Sequence, residues 1–178
     1  MGAIMIEKIR KYIFYFFSFA FMGWVWEVIL NLISKHQIIN PGTLIGPWLP
    51  IYGWGMILII LISKKTKKKS LLFLISFVLC GIIEYCTSLY LEYFYQTKWW
   101  DYSNFLLNIN GRVCIEGLIF FATLSVLSIY FVIPILNNIF EKLNGKGLTI
   151  ILIILTILYS FDYIYSTIHQ NIISRNQN

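Results

Sequence analysis

Five long apolar stretches limit what this chain can fold into: Tyr12–Ser34, Trp48–Ser63, Leu71–Tyr93, Val113–Ile135 and Leu148–His169. A helix crossing the roughly 30 Å hydrocarbon core of a bilayer needs about 20 such residues. Irregular backbone is tolerated at that depth only where protein shelters it. Trp48–Ser63 is the shortest, and the Pro/Gly-rich segment before it is expected to supply the missing turn, as a loop or a re-entrant dip. The chain therefore reads as an all-α, polytopic membrane helix bundle of about five spans, one integral membrane domain over residues 1–178. Composition agrees, with 58% hydrophobic and 12% charged residues, where soluble domains carry about 25% charged.

The net charge of +6 sits in short clusters between apolar segments rather than along one face, which argues for a positive-inside bias and against nucleic acid. With the N-terminus inside, ten basic residues face inward: Lys8, Arg10, Lys11, Lys64, Lys65, Lys67, Lys68, Lys69, Lys142 and Lys146. Four face outward: Lys35, Lys98, Arg112 and Arg175. The expected topology is N-in/C-out, with the KKTKKK run as an anchor that can also touch anionic lipid. The first stretch exceeds a signal-peptide core of about 7 to 15 residues and is expected to remain as a span.

Both long outer loops carry unusual residues. Asn40–Gly55, NPGTLIGPWLPIYGWG, packs five helix breakers into ten positions: Pro41, Gly42, Gly46, Pro47 and Pro50. Pro47 and Pro50 suit a first helical turn, while Gly46 and Gly53 permit close backbone approach. The free N–H groups of such a helix start would meet an anionic ligand or one of the protein's own carboxylates; an ordinary tight loop is the alternative. The second loop holds Trp99-Trp100-Asp101-Tyr102-Ser103 and Asn108-Ile109-Asn110-Gly111-Arg112, readable as an interfacial aromatic belt and turn or as a ligand contact. A weak internal duplication relates residues 12–63 to 71–135, with the last span as an addition.

Four of the eight acidic residues, Glu27, Glu84, Glu116 and Asp162, fall within these spans, where each costs about 2.5–3.5 kcal/mol at a helix centre. They lie on stripes spaced by four: Gly23, Glu27 and Asn31; Glu84, Ser88 and Glu92; Asp162, Ser166 and Gln170. That spacing places each set on one helix face. Arg112 and Glu116 are also four apart and can pair. One arginine cannot neutralise four carboxylates, so the candidate ligand-binding residues are Glu27, Asn31, Glu84, Ser88, Arg112, Glu116 and Asp162, around an outward-facing acidic cavity. Asn40, Gly42, Gly46, Pro47, Pro50, Tyr52, Gly53, Trp100, Asp101, Tyr102, Asn110 and Gly111 are expected to shape it. The competing reading is that the polar groups satisfy one another and hold the bundle together.

No GxxxxGK[ST] phosphate loop, HExxH or GxSxG occurs, so no catalytic set, metal site or cofactor is implied. Cys80, Cys86 and Cys114 lack metal-type spacing and read as small hydrophobes.

The residues that combine these features carry a resemblance. Gly23 to Glu27, Asn40 to Pro47, Pro50 to Gly55, Gly81 with Glu84-Tyr85, Trp99 to Ser103 and Asn108 to Cys114 are similar to the type IV ABC-transporter permease family, the CmpB-like group of small bacterial multi-pass membrane proteins. The family pattern has Asn-Arg-Gly where this chain has Asn40-Pro41-Gly42, so an arginine role there is lost or moved. The resemblance implies a permease-like transport component of the bacterial cell membrane, with a separate ATPase subunit or a homodimer as partners beside the lipid. It brings no substrate. A membrane enzyme acting on lipid or cell-wall precursors and a non-catalytic assembly or sensory protein are the alternatives.

Overall fold

The computed structural model describes the backbone of residues 2–66 and 68–176 and the side chains of residues 2, 4–66 and 68–169. Lys67, and the side chains of Gln170 and Arg175, lie outside the described residues. Among the described residues six α-helices follow the apolar stretches: α1 Gly2–Lys35, α2 Pro50–Ser63, α3 Lys69–Tyr95, α4 Ile115–Leu127, α5 Ile133–Leu143 and α6 Lys146–Asn176. A π-turn at Ser128–Val132 joins α4 to α5, and the two run on as one apolar helix, Ile115–Leu143. The wide turn immediately precedes Pro134, whose missing N–H breaks the regular ladder. A short antiparallel pair, β1 Asn108–Ile109 and β2 Val113–Cys114, leads into α4.

Among the described residues, four helices are long and apolar enough to cross a membrane: Ile4–Lys35, Lys69–Tyr95, Ile115–Leu143 and Lys146–His169. The chain is a membrane protein. Where a fifth span was expected, α2 has 14 residues, a length of about 21 Å at 1.5 Å per residue.

The chain divides into two compact units, Met1–Ile57 with Ile135–Gln170, and one built on Leu58–Pro134. In the first, α1 runs antiparallel to α5 and parallel to α6. Phe140, Leu148 and Leu152 form a buried cluster against Ile13 and Phe14. Tyr15 donates to Asn137 Oδ1, while Arg10 donates to the Gly145 carbonyl at 3.2 Å and ties the α5–α6 turn to α1. Farther along, Phe16 and Phe17 meet Tyr159 edge-on.

The start of α2 lies directly on α1. A side chain at Gly23 would collide with the Tyr52 ring, and a Cβ at Gly53 would stand 2.6 Å from Phe16 Cδ2 and 2.9 Å from the Phe16 carbonyl oxygen. The Leu49 N–H bonds the Ala20 carbonyl at 3.0 Å. Glycine at both points is what allows this approach.

In the second unit α3 and α4 pack antiparallel. Gly81 faces Leu118, with room for ordinary contact at 3.4 Å, and Cys80 Sγ lies 3.9 Å from Ser125 Oγ. The loop from Gln96 to Cys114 caps this hairpin.

Candidate functional site

Each unit holds its own carboxylate centre. In the first, Asp162 of α6 is buried and grips the Pro/Gly loop. Its Oδ1 accepts from the Ile45 N–H at 3.0 Å and from Ser166 Oγ at 2.9 Å. Oδ2 accepts from the Gly46 N–H and from the Trp48 indole, both at 2.8 Å. Two backbone donors, an indole and a hydroxyl therefore meet one carboxylate, and bonds of this charge-assisted type are the strong ones. The loop is open to such an anchor because Pro47 cannot donate and the Trp48 N–H turns back to the Gly46 carbonyl at 2.9 Å. Asn40 shapes the loop entry: its Oδ1 takes the Trp24 indole at 2.9 Å, and its Nδ2 donates to the carbonyls of Leu44 at 2.7 Å and Ile45 at 3.2 Å. Pro50 opens α2 as its first residue.

Glu27 of α1 receives the Tyr52 hydroxyl on Oε1 at 2.5 Å. Asn31, on the same stripe, turns its amide back to the Glu27 carbonyl at 2.9 Å; that bond is local to the helix.

In the second unit Glu84 and Ser88 are buried on α3. Tyr102 donates to Glu84 Oε1 at 3.1 Å. Arg112 sends one guanidinium nitrogen to Ser88 Oγ at 3.0 Å and the other to Glu92 Oε2 at 2.5 Å. The same guanidinium carbon lies 5.8 Å from the Tyr85 ring centre, within cation–π reach. The Arg112 side chain thus pairs with Glu92 rather than with Glu116, which stands exposed in the first turn of α4. A carboxylate there is stabilised by the helix dipole instead. Glu92 was visible as the third member of the Glu84, Ser88, Glu92 stripe; the backbone direction that turns Arg112 toward α3 was not.

The loop is braced from within. Trp100 Nε1 donates to the Arg112 carbonyl at 2.8 Å, the Tyr102 N–H to the Gly111 carbonyl at 2.7 Å, and Asn110 Nδ2 to the Tyr85 hydroxyl at 2.9 Å. Asp101 Oδ1 takes both the Ser103 hydroxyl at 2.5 Å and the Ser103 N–H at 2.9 Å. Those two bonds, with a smaller contribution from Lys98, hold the Asp101 carboxyl below its ordinary range. Gly111, at φ +67, lies against Asp101 and Ser103, where a Cβ would be 2.5 Å from Ser103 Oγ.

Among the described residues no three of His, Cys, Asp and Glu converge as a metal site. The chemistry on offer is carboxylates and one arginine, held by tyrosines, tryptophans and backbone amides. A family model described as "Putative ABC-transporter type IV" matches residues 14–167. No match was found among curated proteins or solved structures.

Proposed function

The chain belongs to the CmpB-type ABC-transporter family, type IV, and from that premise we propose that it is a permease-like transport component of the bacterial plasma membrane. In this reading each unit offers its own outward-facing acidic centre for a cation or a polar small molecule, Glu27 in the first and Glu84 and Glu116, with Arg112 and its partners, in the second. The observation that carries it is the repeated pairing of a span carboxylate with a tyrosine hydroxyl, Glu27 with Tyr52 and Glu84 with Tyr102. A hydroxyl orients a carboxyl oxygen, and a cationic or polar group is the ligand chemistry that an acidic side chain within a span fits. The same pairing supports an internal repeat of residues 12–63 and 71–135.

The topology proposed is N-in/C-out. In the first unit Arg10 reaches Gly145, so the basic N-terminal turns and the Lys142–Lys146 corner share one end, which the positive-inside bias assigns to the interior. The α2 segment returns the chain inward, with the Asn40–Leu49 loop dipping into the outer half of the membrane to make up the length that α2 lacks.

The test is uptake, or ligand-dependent thermal stabilisation, in Glu27→Gln and Glu84→Gln variants. Both are expected to abolish it while leaving the fold; unchanged uptake in both would sink the reading. One observation favours a structural role for part of the acidic layer: Asp162 is engaged by four donors from the protein itself.

A further inference from the structure

The loop between α3 and α4 presents an apolar tip outside the helical spans. Phe105, Leu106, Leu107 and Ile109 are all exposed, Leu106 at 72% and Leu107 at 67%. From Tyr102 through Gly111 the sequence contains no charged residue. This tip is built, not slack. Asn108 Nδ2 donates to the carbonyls of Phe105 at 2.9 Å and Ser103 at 3.3 Å, and its Oδ1 accepts the Gly111 N–H at 3.0 Å. Behind it, β1 pairs with β2 in the register Asn108↔Cys114 and Ile109↔Val113. Leu107 holds φ +51, a left-handed conformation unfavourable for a branched residue. The backbone is thus turned at a residue whose side chain stays in the open.

An exposed apolar cluster on a braced turn needs a cover. The loop is tethered at both ends to helices that cross the membrane: α3 ends at Tyr95 and α4 begins at Ile115. The tip therefore stays near the bilayer surface whatever else binds. Trp99, also exposed, flanks it, and tryptophan belongs at the headgroup level. The charges nearest the tip are already engaged, Lys98 with Asp101 at 3.9 Å and Arg112 with Glu92.

We propose that the Phe105–Ile109 tip inserts into the headgroup and acyl boundary of the adjoining leaflet as a monotopic anchor, so that lipid holds the loop that carries Tyr102 and Arg112. Insertion of this kind reaches about 5–10 Å into the interface. The inference rests on the membrane assignment and is independent of the transport reading.

The experiment uses the purified full chain in phosphatidylcholine vesicles, with an environment-sensitive fluorophore on Leu106→Cys. The parent chain, labelled in the same way, supplies the baseline for the native cysteines. The Lys68→Cys position in the α2–α3 connection serves as the aqueous reference. The expected result is blue-shifted emission at Leu106, quenched by lipids spin-labelled near the headgroup, with neither effect at Lys68. Water-like emission at Leu106 overturns the proposal. So does emission that shifts only when a native membrane-protein extract is added, because the tip would then be a protein-docking surface. Ile109→Cys provides a second reporter on the same tip, with the same two outcomes, if the first variant does not purify as a folded protein.

Discussion

Asp162 and Glu27 differ in what neutralisation does to them. In Asp162→Asn the amide nitrogen takes one oxygen's place and faces donors, either the Ile45 N–H and Ser166 hydroxyl or the Gly46 N–H and Trp48 indole. Each stranded buried donor costs about 1–3 kcal/mol, so the variant should melt clearly below the parent in detergent. Glu27→Gln keeps an amide oxygen for the Tyr52 hydroxyl and should lose no more than about 1 kcal/mol. Thermal unfolding of both proteins checks the order, and an equal loss would mean that the four-donor grip on the loop adds nothing. A third carboxylate, Asp101, answers to pH. Because Ser103 holds its folded pKa below the ordinary value, the turn is favoured at all pH above the unfolded value near ~3.9 and is lost as pH falls through the folded one. Protection of the Ser103 amide, measured as its hydrogen exchange relative to the intrinsic rate at each pH, should hold at neutral pH and fall only under strongly acid conditions. In Asp101→Asn that acid transition should vanish.

Helix contacts hinge on glycine in a position-dependent way. Gly23→Ala drives a methyl into the Tyr52 ring and Gly53→Ala drives one into Phe16 and its carbonyl oxygen, so each should destabilise the α1–α2 contact by about 1–3 kcal/mol. Gly81→Ala meets only Leu118 methyls at 3.4 Å and should be neutral or gain up to about 1 kcal/mol of helix propensity. Detergent melting of the three variants tests the ranking, which sequence spacing alone would have made equal for Gly23 and Gly81, each beside its glutamate. The elements themselves were legible in the apolar runs, since a helix of that length in lipid must bond its own backbone. The start of the short helix α2 was legible too, through Pro50 and the breakers before it. What the runs could not supply were partners across distant sequence. The Pro/Gly loop is held by Asp162, more than a hundred residues later, and an acid on a four-residue stripe does not say which backbone will reach it. The Arg112 side chain likewise bonds α3 instead of its own helix start, because β1 and β2 set its direction first.

At the scale of the whole molecule, these residues contain no phosphate loop, and in the proposed N-in/C-out topology the interior connections are short, residues 64–68 and 144–145. In the permease-like reading proposed above, the ATPase is a separate chain, gripped through the lysine-rich turn Lys64–Lys69, the Lys142–Lys146 corner, or both. Both surfaces carry exposed cations, Lys65, Lys68 and Lys69 in one and Lys142 and Lys146 in the other, so the docking face on the partner should be acidic and its hold weakened by salt. Gentle affinity purification of the tagged chain from its native membrane should therefore recover a phosphate-loop ATPase in fixed ratio. Reversing Lys65, Lys68 and Lys69 to glutamate should strip it away, provided the inverted charge leaves the topology intact, which labelling of a Lys98→Cys variant from outside the cell reports. Recovery of the chain alone under low salt would mean that the family's transport chemistry is carried here by a free-standing assembly. Its acidic centres would then have to be driven by an ion gradient, which a cation-dependent uptake assay in vesicles of the purified protein would detect.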